Sequence, residues 1–128
     1  YFLDYADKVR SLVDTPLVVT GGFRSAQAMQ EALDSGATDF IGVARTTCVD
    51  PDFPNKLIAD VNYQQQLKVL TTGKPAIDKM AMLEITWYEA QLARMAKGKK
   101  PKANLSEWGV FFGTLFNAGI YAFRKRRA

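Results

Sequence analysis

Two short apolar runs in this 128-residue chain each end in small residues with an arginine close behind. The first reads Pro16-Leu17-Val18-Val19-Thr20-Gly21-Gly22-Phe23-Arg24-Ser25, and the second Asp39-Phe40-Ile41-Gly42-Val43-Ala44-Arg45. Glycines at a strand end let the backbone turn tightly and bring amides close to an anion. Ser25 can cap a helix just beyond, and a helix N-terminus carries partial positive charge. Ala44 is small enough to admit a ligand to its amide, and Arg45 adds a charge-assisted fork for phosphate oxygens. Placed side by side at the ends of parallel strands, the two loops predict a phosphate cradle, and so a phosphorylated cofactor or substrate.

The elements that must position these loops follow from periodicity. Residues 2–13 place Phe2, Ala6, Val9 and Val13 on one face of an amphipathic helix. Asp14-Thr15-Pro16 stops it, because proline disfavours helix at the preceding residue. Leu17 to Thr20 reads as a buried parallel strand. Ala26, Met29 and Leu33 mark the buried face of the next helix, Gly36 ends it, and Asp39 to Ala44 is the second strand. Helix, strand, helix, strand with short connections predicts a parallel sheet with right-handed crossovers. Two strands cannot close a barrel, so a missing segment or another copy of the chain is expected to complete it.

Asp50-Pro51-Asp52-Phe53-Pro54 is a rigid turn in which the two carboxylates serve cap or turn roles. A short helix is expected around Asn55 to Val61, then a polar loop over 62–76 with room for one helical turn. A longer helix over 77–96 carries the stripe Ala81, Ile85, Tyr88, Leu92 and Met95, widened by Met80, Leu83 and Trp87. Gly98 ends it, Lys99-Lys100-Pro101-Lys102 is a basic linker, and Ser106 caps a last apolar helix ending in Arg124-Lys125-Arg126-Arg127. Gly109 to Phe123 is uncharged, yet shorter than the roughly 20 apolar residues of a bilayer span. It is expected to pack on its own protein, with contact to a membrane surface as the alternative.

Composition narrows the classes. Apolar residues make up 48%, enough for a core in one domain or part of a larger one. The chain opens on Tyr1, as a processed chain or a piece of a longer protein would, and shows no signal-like apolar opening. With a single cysteine, Cys48, this favours a reducing, cytoplasmic location. Cys48 reads as a packing residue rather than a nucleophile. Histidine is absent, which excludes His-based triads and His metal sites within the chain, and no metal is expected. The net charge of +4 belongs to the tail, where eight Lys/Arg from Lys97 onward face Glu107 alone. Solvated basic residues are expected there, with no nucleic-acid partner.

The stretch PLVVTGGFRSAQAMQEALDSGATDFIGVARTTCVDPDFPNKL resembles the C-terminal part of the NADH:flavin oxidoreductase family, the old yellow enzyme relatives. The matching residues are Gly21-Gly22-Phe23, Gly36-Ala37-Thr38-Asp39, Ala44-Arg45 and Asp50-Pro51-Asp52, and the likeness covers most of residues 1–60. Many members have glycine where this chain has Ala44.

The resemblance implies an α/β fold: the C-terminal part of a (β/α)8 TIM barrel, its last two βα units in residues 1–61, followed by a helical C-terminal extension over 62–128. It implies FMN as cofactor, with NADH or NADPH as reductant. The amides of Gly21, Gly22 and Ala44 would hold the FMN phosphate, Arg45 would bind it through amide and side chain, and Phe23 would sit beside the flavin edge. The parent protein would be an FMN-dependent, ene-reductase-like NAD(P)H oxidoreductase acting on a small molecule. No catalytic residue of the family maps to this chain, so the isolated chain is expected to be inactive. Another phosphate-binding (β/α)-barrel enzyme, or a non-enzymatic module that binds a membrane or partner, are the alternatives.

Overall fold

A computed structural model describes residues 2–123, which fall into two compact units, one running to Leu67 and one from Lys68. The Arg124–Arg127 end expected for the last helix lies outside the described residues.

The first unit contains α1 (Phe2–Arg10), β1 (Val18–Thr20), α2 (Ala26–Asp34), β2 (Phe40–Gly42), α3 (Arg45–Val49) and α4 (Phe53–Ala59). The two strands are parallel, with Val18 paired to Phe40, Val19 to Ile41 and Thr20 to Gly42. The expected alternation of helix and parallel strand is therefore present. One sheet face is covered: Val19 is buried with Ala6 of α1 and Ala37, and Leu3 and Phe23 pack against them. On the other face the paired Val18 and Phe40 are both exposed.

Local chemistry shortens or shifts several elements. α1 ends at Arg10 rather than Val13: the Ser11 hydroxyl donates to the Lys8 carbonyl at 2.8 Å, an alternative to continued helix, and Val13 is exposed. In α2 the buried residue is Ala32, while Leu33, expected inside, is exposed. A small side chain there allows close packing, as dense interiors require. Ser25 caps α2 as expected, its hydroxyl accepting from the Ala28 amide, and Gly36 follows the helix end at φ +73°. α4 begins at Phe53, two residues before the sequence expectation, because Phe53 is fully buried and packs near the Tyr63 ring. Asp50 and Asp52 take turn roles. Asp50 accepts from the Asp52 amide at 3.3 Å and pairs with Lys56 at 2.5 Å, and Asp52 accepts from the Asn55 side chain.

Asp39 is the latch of this unit. It accepts from the Leu17 amide at 2.7 Å and pairs with Arg10, joining the end of α1 to the starts of both strands. The Leu17 amide, then the Arg10 guanidinium, hold its carboxyl below its ordinary value of 3.8. A carboxylate with a depressed folded-state pKa contributes stability above its unfolded value, and that share disappears as pH falls through the lower folded value. We expect this unit to lose stability below about pH 4, and Asp39→Asn to flatten that part of the profile. Urea midpoints measured across acidic pH check this.

The second unit contains α5 (Pro75–Met80), α6 (Leu83–Met95) and α7 (Glu107–Phe123). The single helix expected over 77–96 is two helices, broken where Met82 adopts φ +47°. The buried face of α6 also differs from the expected stripe. Leu83, Trp87, Tyr88 and Gln91 are buried, while Ile85 and Leu92, expected inside, are exposed. Gly98 ends α6 at φ +69°, with the Lys99 amide bonded back to the Arg94 carbonyl. Beyond it the basic stretch is pinned. Trp87 Nε1 donates to the Leu105 carbonyl at 3.0 Å, and the Gln91 side chain both donates to and accepts from the Lys102 backbone. Ser106 caps α7 through the Gly109 amide. Among the described residues no helix is long and apolar enough to cross a membrane.

Candidate functional site

A cavity of about 390 Å³ opens where the two strands of the first unit end. Gly21, Gly22 and Phe23 line it from the loop after β1, and Ala44 and Arg45 from the segment after β2. All five residues singled out by sequence therefore surround one space. The parallel register produces this: Thr20 beside Gly42 aligns the two strand ends, so the following loops emerge together.

The loops are built for close approach. Gly22 sits at φ +78°, a conformation costly for other residues, and a side chain built there meets nothing within 4 Å. The backbone of this turn is thus bared to open space. Arg45 is the first residue of α3, and Ala44 stands directly before it. Phe23 serves two ends, lining the cavity while packing on the Ala6–Val19–Ala37 core. That packing fixes the turn relative to the sheet.

Charge separates this cavity from its neighbour. The charged residues lining it are Arg24 and Arg45. A wider cleft of about 750 Å³ shares the Gly21–Phe23 turn but is lined by Asp4, Asp7 and Glu31 against Lys8 alone. An anion is favoured in the first and repelled from the second.

Three lining residues had no assigned role in the sequence. Arg24 directly follows Phe23, so its place in the same loop was the available signal. Thr46 directly follows Arg45. It is 3% exposed, and among the described residues its Oγ1 has no hydrogen-bond partner. Its oxygen is buried rather than open to the cavity, so Thr46 contributes wall and not a ready ligand contact. Leu67 is brought in by the bond from the Gln65 amide to the Arg24 carbonyl at 2.9 Å, which no local sequence signal reveals.

Gly42, which also lines the cavity, is a structural requirement. A Cβ at this position would lie 1.9 Å from Thr20 Oγ1 and 2.9 Å from its Cβ. Overpacking of this kind typically costs about 1–3 kcal/mol. Gly42→Ala should lower the unit's stability by that amount, measured by chemical denaturation, and splay the two strand ends.

Cys48 is buried, and burial pushes its thiol above the ordinary value, which suits packing rather than nucleophilic attack. Among the described residues no group of His, Cys, Asp and Glu is arranged to hold a metal ion.

The chain is similar to proteins of known family. Residues 3–64 match the family described as NADH:flavin oxidoreductase / NADH oxidase. The chain is similar to the NADH-dependent flavin oxidoreductase iccE of Talaromyces variabilis, 36% identical over 109 residues, which is 76% of this chain and 26% of that protein. It is also similar to the NADH-dependent flavin oxidoreductase iliE of Neonectria sp. (strain DH2), 42% identical over 59 residues, 45% of this chain and 8% of that protein. A cinnamate reductase of Clostridium sporogenes is 30% identical over 59 residues, 46% of this chain and 9% of that protein. The chain thus spans about a quarter or less of the length of these curated relatives. No solved structure matches it. The matched residues 3–64 run from α1 through both cavity loops, and by that match the chain belongs to the NADH:flavin oxidoreductase / NADH oxidase family.

Proposed function

We propose that the cavity after β1 and β2 holds the phosphate of FMN, and that the chain is the C-terminal portion of an FMN-dependent, NADH- or NADPH-oxidising reductase. The observation that carries this reading is the meeting of Gly21, Gly22, Phe23, Ala44 and Arg45 around one space whose charges are two arginines. The backbone of Gly21, Gly22 and Ala44 would approach the phosphate, and Arg45 would balance its charge through a fork of donors. Phe23 would present its free side to the flavin edge. Bound FMN supplies hydride chemistry between reduced nicotinamide and an electron-poor acceptor. The residues of this chain anchor and orient the cofactor and leave the reacting atoms to other parts of the protein.

The same reading places β1 and β2 as the last two strands of a (β/α)8 barrel. Support comes from the uncovered face bearing Val18 and Phe40, where an inward-facing layer of side chains would pack in a closed barrel. The preceding barrel segment, or self-association, would cover it. The free Cys48 fits a cytoplasmic location.

Titration of the 128-residue chain with FMN and with riboflavin, which lacks the phosphate, tests the assignment. Binding to half of a cofactor site should be weak, about millimolar, near 4 kcal/mol. FMN should bind and riboflavin should not. Equal affinity for the two would remove the phosphate from the account.

A further inference from the structure

α7 exposes the wrong face for a helix in water. The residues it turns toward the cleft with α6 are Val110, Gly113, Thr114 and Asn117, mostly small or polar. Its outer face carries Trp108, Phe112, Leu115 and Phe116, the i, i+4, i+7, i+8 spacing of one continuous stripe. Phe112, Leu115 and Phe116 are 58%, 59% and 70% exposed. Trp108 and Phe112 stack with ring centroids 5.9 Å apart, so the stripe is an apolar surface rather than scattered side chains.

Charge says what such a surface meets. No charged residue stands between Trp108 and Phe123, and Arg124, Lys125, Arg126 and Arg127 follow directly in sequence. From Lys68 onward the chain has twelve Lys/Arg against four Asp/Glu, whereas the first unit has five against nine. An exposed aromatic face suits burial at the boundary of headgroups and acyl chains, and a run of cations following it in sequence suits anionic headgroups. Lys and Arg near an anionic leaflet each add attraction to its headgroups. At 17 residues the helix is short of a span, which suits lying in the interface plane. A second copy of the chain would bring the same cations into opposition, and a nucleic acid would leave the aromatic stripe in water.

We infer that α7 docks its Trp108–Phe116 stripe onto an anionic lipid surface. The full chain should co-sediment with vesicles of phosphatidylcholine containing about a third phosphatidylserine, and about tenfold less with phosphatidylcholine alone. Trp108 emission should shift to the blue on binding; Trp87, already buried, contributes little to that change. The double variant Phe112→Ser/Phe116→Ser, at exposed positions and checked for helix content by circular dichroism, should bind at least about tenfold more weakly. Anionic binding unchanged in the double variant would assign it to the basic end alone and overturn the inference. So would an absence of vesicle binding in a chain that dimerises through the same two phenylalanines, which would make a second copy the occupant.

Discussion

Arg45→Gln is expected to weaken FMN binding by about tenfold to a hundredfold, the range of one hydrogen bond to a charged partner. Arg45 lines the cavity together with Gly21 and Gly22 and is one of its two cations. Glutamine keeps much of the length and loses both the charge and the planar fork. Arg45→Lys separates those two contributions. Lysine restores charge as a point and cannot offer two parallel donors, so it should recover only part of the loss. If Arg45→Gln left FMN affinity unaltered, the cation of the cavity would have to be Arg24 alone.

Trp87→Ala should remove about 3–5 kcal/mol from the second unit, the range for deleting a large buried aromatic side chain. Trp87 is 1% exposed, packs edge-on against Tyr88 with ring centroids 5.3 Å apart, and donates to the Leu105 carbonyl. The change leaves a cavity in α6 and strands a carbonyl beside the start of α7. A small unit holds little stability in reserve, so loss on this scale should unfold it. Trp87→Phe keeps most of the volume and removes the donor, and should cost about 1–3 kcal/mol, the penalty of an unsatisfied carbonyl. Amide signals of Leu83–Met95 in a thermal series provide the readout.

How much of this was legible in the sequence depended on the range of the interactions involved. The parallel pair, the Ser25 and Ser106 caps, the Gly36 and Gly98 stops and the two cavity loops were readable because each is written in a few adjacent residues. The break at Met82 was not. No glycine or proline marks it, and the left-handed backbone is held by the helices on either side, with Leu83 buried just beyond. Within α6 the buried face centres on Leu83, Trp87 and Gln91 rather than on the side of Ile85 and Leu92, and Gln91, which reads as a surface residue, is a buried clamp on Lys102. Leu33 misled for a related reason: periodicity identifies a face, while packing at the sheet chose the smaller Ala32 beside it. Thr46 shows the limit at the site itself. A threonine after an arginine carries no signal until the fold buries it in the cavity wall, its hydroxyl without a partner among the described residues.

The two loops after β1 and β2 are claimed to grip one phosphate between them, and amide chemical shifts of the labelled chain titrated with FMN observe that directly. Gly22, Ala44 and Arg45 should shift together and saturate along one isotherm, with residues beyond Lys68 unmoved. Shifts confined to one loop, or centred on the Asp4–Glu31 cleft instead, would contradict it.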